Sequence, residues 1–297
     1  MSVRPRMLIT GCKGQVGWEL NRSLAAIGDV IALDRNELDL GNADAIRSKI
    51  RELRPDWIFN AAAYTAVDAA EREQELARTI NGIAPGVLAE EASLLGGRLI
   101  HFSTDYVFDG TATRPYRESD PVSPCSVYGS SKLQGEQRAL QGNPHTWVFR
   151  TSWVYASRGR NFLLTMLRLA RQQPRLRVVD DQIGSPTPAR QIANAIAAFT
   201  AAELRHARVP SGVYHLTSPG QTSWHGFACR IVEWAAERGL CPPVPVDAIT
   251  SAEYPTPARR PAWSVLDCGL IDELAGIALP QWEHGLHLCL EELEQTR

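Results

Sequence analysis

Lysine is almost missing from this sequence. Three residues, Lys13, Lys49 and Lys132, stand against 28 arginines in 297 positions. Strong charge of one sign is missing too: the formal net charge is −2. That excludes a protein held to nucleic acid by a broad basic field. An anionic small molecule stays open, because one or two arginines suffice for it. No apolar run reaches the ~18 residues of a membrane span. The start, Met1 to Met7, passes straight into a strand pattern, without the apolar stretch and cleavage site of a signal peptide. No C-x-x-C pair occurs. Cys12, Cys125, Cys229, Cys241, Cys268 and Cys289 are scattered, which reads as reduced thiols in a cytoplasmic setting rather than as disulfides or a metal site. Repeats, low-complexity tracts and charge runs are absent. What remains is the composition of a soluble globular enzyme, 44% hydrophobic and 22% charged, and long enough to bury a core without staples.

Short apolar strands alternate with amphipathic helical stretches in the first half. Strands are expected at Met7–Thr10, Val30–Leu33, Trp57–Phe59, Arg98–Phe102 and Thr146–Phe149. Helices are expected at Gln15–Ala26, Ala43–Leu53, Glu73–Ile80, Ala84–Leu95 and Val127–Leu140. This rhythm indicates an α/β fold with a doubly wound, Rossmann-like parallel sheet over residues 1–150. After Thr151 the rhythm loosens. Helices at Phe162–Arg171 and Gln191–Leu204 and strands at Arg177–Asp180 and Val213–Leu216 suggest that a segment of about 175–218 returns to the sheet. The rest of 151–297, with prolines at 242, 243, 245, 255, 257 and 261 and a last helix from about Gln281, reads as a smaller, loop-rich lobe that binds substrate.

The first strand runs into Gly11-Cys-Lys-Gly14-Gln-Val-Gly17 and then a helix. Glycines there allow the tight turn and let backbone approach a pyrophosphate, while the helix N-terminus offers N–H donors to that anion. Gln15 and Val16 lie within the loop. The second strand ends at Asp34, near the spacing at which a carboxylate takes the adenosine ribose hydroxyls, and Arg35 follows it, where a guanidinium could meet a 2′-phosphate. Asp39 and Leu40 come next, where a side chain could reach the adenine. Ala61, Ala62 and Ala63 follow the third strand, small enough for the chain to pass close to a cofactor. The two coenzymes, NADH and NADPH, are both compatible with this set, since Asp34 and Arg35 point opposite ways.

Tyr128-Gly-Ser-Ser-Lys132 places a phenol and an ammonium four residues apart on one helix face. A nearby cation favours phenolate, so Lys132 is expected to lower the pKa of Tyr128 and make it a usable proton donor near neutrality. Chance places one Tyr-x-x-x-Lys in a chain of this composition only about 0.07 times, by counting template matches. Arginine could not replace Lys132 cleanly, the two cations differing in shape and hydration. Thr104 and Asp105 close the fourth strand, at the carboxyl edge where open α/β sheets place ligands, and the Thr104 hydroxyl could bond a substrate carbonyl.

Together these residues resemble the short-chain dehydrogenase/reductase superfamily, in its extended, nucleotide-sugar branch. The stretches Gly14–Leu20, Asn60–Asp68, Ser103–Phe108, Val127–Gly129, Arg150–Tyr155 and Tyr254–Ala258 with Arg260-Pro261 are similar to the dTDP-4-dehydrorhamnose reductases, nearly end to end. The resemblance implies transfer of hydride from NADH or NADPH to the C4 ketone of a dTDP-4-dehydro sugar, the last step of dTDP-rhamnose synthesis, which feeds surface polysaccharide such as O antigen. It implies that Tyr128 donates the proton, that Lys132 supports it and holds the nicotinamide ribose, and that Thr104 polarises the ketone. Asp105 would sit on the substrate side and Trp153 would pack against the sugar nucleotide. Gly14, Gln15, Val16, Asp34, Asp39, Leu40, Ala63, Tyr64 and Thr65 would line the cofactor. Arg260, with Arg259 as fallback, is the candidate cation for the substrate diphosphate.

Some relatives of this kind are dimers bridged by Mg²⁺ through acidic side chains. Glu19 matches one such position, but Pro186–Gln191 carries no carboxylate where another belongs, so no metal bridge is expected and a homodimer stays open. Two other readings compete. A 4,6-dehydratase or 4-epimerase of the same branch is one, although Tyr106 stands where a dehydratase carries its second carboxylate. A non-catalytic NADP-binding regulatory subunit is the other, although such a module has no need of Thr104, Tyr128 and Lys132 together.

Overall fold

The computed structural model describes residues 4–205 and 207–296. Five strands follow in order: β1 (Arg6–Thr10), β2 (Asp29–Leu33), β3 (Trp57–Asn60), β4 (Arg98–Thr104) and β5 (Thr146–Thr151). With an edge strand, Gly212–His215, they form one six-stranded parallel sheet of spatial order β2-β1-β3-β4-β5-edge. The chain's direction across the sheet reverses between β1 and β3, so a crevice opens outside their carboxyl ends.

Period-two alternation sends side chains to opposite faces. Met7, Ile9, Trp57, Phe59, Trp147 and Phe149 are buried on one face, in a cluster that includes Leu20 and Leu24 of helix Gln15–Leu24 and Ile192, Ile196 and Phe199 of helix Ala189–Leu204. Leu8, Ile58 and Leu99 face the other way, with Ile46, Ile50, Leu88 and Ala139 from helices Ala43–Leu53, Ala84–Leu94 and Val127–Gly142. Both faces are covered, which is why the strands read as unbroken apolar runs.

Of the segment about 175–218, the structure places helix Ala189–Leu204 on the sheet and Gly212–His215 in it. Leu176–Val179 lies elsewhere, paired in parallel with Val246–Ile249. That pair belongs to a second core built from Tyr155, Leu163, Leu167, Phe227, Ile231 and Leu286. The tail is less loop-rich than its prolines suggest. Helix Trp224–Glu237, capped by Ser223, carries much of that core. The expected helix at Glu73–Ile80 is a short α-turn, Gln74–Ala77, that widens into a π-helical segment over Arg78–Ile83.

Candidate active site

Two positions of the glycine loop, Gly11 and Gly17, leave no room for a side chain. A Cβ on Gly17 would lie 2.2 Å from the Gly11 carbonyl oxygen. Gly11 has φ +69° and would bring a Cβ within 2.8 Å of Ala62 Cα. The loop and the Ala61–Ala63 segment after β3 are therefore pressed together, as the small residues predict. The helix that follows begins at Gln15 with no side chain capping its first N–H groups, and those donors stay available to an anion. This cradle fits a dinucleotide pyrophosphate.

Around it the predicted cofactor residues divide. Asp34 directly follows β2, accepts the backbone N–H of Asn36 and Glu37, and pairs with Lys13 of the glycine loop. The lysine and the turn hold its carboxyl below the usual range. Arg35 beside it is exposed. Asp39 accepts the N–H of Gly41, and Leu40 is buried in the core. Gln15 Oε1 takes a hydrogen bond from Asn161 at 2.9 Å, tying the loop to the second lobe, while Val16 packs on the core. The Tyr64 hydroxyl donates to Glu73, and Thr65 is exposed.

The three catalytic candidates meet at the carboxyl end of β4. Ser126 caps the helix Val127–Gly142, accepting the N–H of Gly129 at 3.1 Å. That start sets Tyr128 and Lys132 on its inner face, one turn apart. The Tyr128 hydroxyl is in hydrogen-bonding contact with that of Thr104. The expected lowering of the Tyr128 pKa does not occur. Burial pushes the phenol up to about 12, because Lys132 points elsewhere: its Nζ donates to the Phe102 carbonyl at 2.5 Å and lies 3.5 Å from His101 Nε2. Burial also brings the Lys132 ammonium down to about 8. A protonated phenol is what a proton donor requires.

Asp105 is buried, and burial raises its carboxyl to about 6 against the hydroxyls of Ser264 and Thr104. Thr104 donates to Oδ1 at 3.0 Å, while Oδ2 has no partner. A buried orphan acceptor beside Thr104 is a place for a ligand hydroxyl. Trp153 has φ +47°, rare for a bulky residue, and stacks on Trp224 with ring centroids 3.6 Å apart. One face of its indole is thus already covered. Arg260 donates to Asp68 at 2.8 Å, so the cation nominated for a diphosphate already has a carboxylate partner, and Arg259 is exposed.

A family model described as RmlD substrate binding domain matches residues 5–295. The dTDP-4-dehydrorhamnose reductase of Burkholderia thailandensis is 48% identical over 97% of this chain and 99% of its own. That of Salmonella typhimurium is 44% identical over 98% of each. The chain belongs to the dTDP-4-dehydrorhamnose reductase family. A solved dTDP-4-dehydrorhamnose reductase from Bacillus anthracis, in complex with NADP, superposes with a TM-score of 0.90 at 34% identity, covering 98% of this chain and all of that one. A Thermus thermophilus UDP-glucose 4-epimerase, 18% identical with a TM-score of 0.79, shares the fold.

In this member of the reductase family, several buried polar residues escape the motif reading. His101 sits under Lys132, and the Asn60 amide joins it to Thr10. Asn81, in the π-helical segment, accepts the N–H of Tyr64 and donates to Ser131 beside Lys132. Glu136 holds Arg150 in a buried bidentate pair and accepts from Ser103. The signal for His101 was present: Leu99, His101 and Ser103 share one face of a strand, and two are polar. Arg190 reaches Glu19 at 3.3 Å and Glu292 at 2.7 Å. Among the described residues no group of three or more His, Cys, Asp or Glu could hold a metal ion. A surface groove lined by Arg47, Glu90, Gln134 and Arg138 includes none of the catalytic candidates.

Proposed function

We propose that this protein reduces the C4 ketone of dTDP-4-dehydro-β-L-rhamnose to the alcohol of dTDP-β-L-rhamnose. The observation that carries the reading is the meeting of Thr104 and Tyr128, one helical turn from Lys132, at the carboxyl end of β4, in a sheet whose glycine loop admits no Cβ at Gly11 or Gly17. NADPH or NADH, bound in that crevice, supplies the hydride. A ketone receiving hydride gathers negative charge on oxygen. Hydroxyls already aimed at that oxygen, from Thr104 and Tyr128, stabilise the charge more in the transition state than in the ground state. Tyr128 then gives its proton to the alkoxide. Lys132 stands one helical turn behind it, to hold the nicotinamide ribose and compensate the phenolate left behind. Asp105 takes a sugar hydroxyl on its orphan oxygen, and the part-exposed Trp153 packs on the sugar nucleotide. Arg260, screened by Asp68, or exposed Arg259 faces the diphosphate.

We assign the cofactor side to residues 1–150 with the returning helix and edge strand, and the substrate side to the rest of 151–297. No helix of the described residues is long and apolar enough to cross a membrane, and the six cysteines form no disulfide. Both fit a cytoplasmic enzyme. The test is NADPH oxidation against a panel of 4-keto sugar nucleotides. Stoichiometric consumption with the dTDP-4-keto sugar supports the reading. Bound NAD with no net oxidation supports an epimerase instead.

A further inference from the structure

Polar side chains buried in a parallel sheet destabilise it unless each finds a partner. Thr10, Asn60 and His101 are such a set. They are cross-strand neighbours on β1, β3 and β4, each at most 1% exposed. Two positions earlier on the same face, the row reads Leu8, Ile58, Leu99. The polar row ends at Lys132, whose Nζ is 3.5 Å from His101 Nε2.

Hydrogen inventory fixes the arrangement. An ammonium only donates, so the nitrogen facing it must accept, and the ring hydrogen belongs on Nδ1. Nδ1 lies 3.0 Å from Asn60 Nδ2, and Thr10 Oγ1 lies 2.7 Å from Asn60 Oδ1; a hydrogen on Nδ1 requires this amide turned over, its oxygen toward the ring and its NH₂ toward Thr10. With the amide as placed, Nδ1 would accept and an Nε2–H would face the ammonium, donor to donor. The self-consistent order is Lys132 to His101 to Asn60 to Thr10, each donating to the next.

We propose that His101 is a positioning residue: as a neutral imidazole it accepts from Lys132 and, together with the Phe102 carbonyl, fixes Nζ at the carboxyl end of β4, one helical turn behind Tyr128. The idea deepens the reading of Lys132 given above and rests on it for its catalytic consequence. Burial supports the neutral form, holding His101 well below the ordinary imidazole range. The polar row also explains why β4 carries a histidine in its core.

Three lysines make the test simple. Lysine labelled with ¹³C at Cε gives three resonances, and the one lost in Lys132→Met identifies the buried site. His101→Asn keeps a donor toward Asn60 but has no acceptor in reach of Nζ. It should move the Lys132 resonance, leave those of Lys13 and Lys49 in place, and lower kcat roughly ten- to a hundredfold, the scale on which misplacing a reacting group acts. His101→Gln, whose amide oxygen can take the place of Nε2, should restore both. Asn60→Ala, which releases the ring from its far side, should move the same resonance and stands in should His101→Asn not fold. A Lys132 resonance unmoved in both variants overturns the proposal. A moved resonance with unchanged kcat upholds the contact and counts against the catalytic reading of Lys132.

Discussion

Replacing Lys132 by methionine should cost activity and, at the same time, remove a charge that the fold holds at a loss. The side chain is 2% exposed, and burial brings its pKa to about 8 from the 10.5 of an exposed lysine. Folded chains thus hold this proton less tightly than unfolded ones. Between pH 8 and 10.5 the unfolded state binds more protons, so stability rises with pH through that window. The same linkage sets the cost of burying this lysine at about 3 kcal/mol at pH 7, where it stays charged, and about 1.4 kcal/mol at pH 9.5, where it has given up its proton. Lys132→Met keeps the length and loses the charge. It also strips a donor from the Phe102 carbonyl and His101, a loss on the order of 1–3 kcal/mol that is the same at both pH values. Absolute stability at pH 7 is then a near balance, whereas the pH dependence is decisive. Wild type should gain about 2 kcal/mol on the variant between pH 7 and 9.5. Urea unfolding followed by tryptophan fluorescence, with slopes compared between the two proteins, measures it. A wild-type minus variant difference that is equal at both pH values would refute the buried charge.

Three further outcomes follow from the site. Tyr128→Phe should leave NADPH affinity nearly unchanged while cutting turnover by about 10²-fold or more, the usual scale for a positioned general acid; unchanged turnover removes Tyr128 from the mechanism. Asp34→Ala deletes a ribose partner and frees Lys13, so NADH affinity should fall about tenfold, the scale of one charge-assisted hydrogen bond, and NADPH affinity less; isothermal titration with both coenzymes decides, and equal losses count against the role. Gly17→Ala forces a Cβ to 2.2 Å from the Gly11 carbonyl, so the loop must open by about an ångström and dinucleotide binding should be lost; fluorescence titration showing normal NADPH affinity would contradict the packing of that turn.

The glycine loop, the alternation of strands and helices and the Tyr128/Lys132 spacing were legible because each is a local rule: a turn that admits no side chain, a period of two or 3.6, a pair four apart. Helix Trp224–Glu237 was not, since its polar and aromatic residues lie close to prolines that suggest loop, and only the second core selects it. The lowered pKa expected for Tyr128 failed for a related reason. Spacing puts a cation on the same helix face, but the burial of the phenol and the direction of Nζ are set by β4, thirty residues upstream.

By itself the sequence determined the doubly wound sheet and the dinucleotide crevice and nominated the three side chains proposed to react, since these follow from short-range periodicity and from residue types that nothing else replaces. Tertiary structure alone decided which partner each group turns to: Asp34 to Lys13, Arg260 to Asp68, Lys132 to His101. Such pairings join residues far apart in the chain, and whether a buried polar atom is satisfied depends on the strand lying beside it.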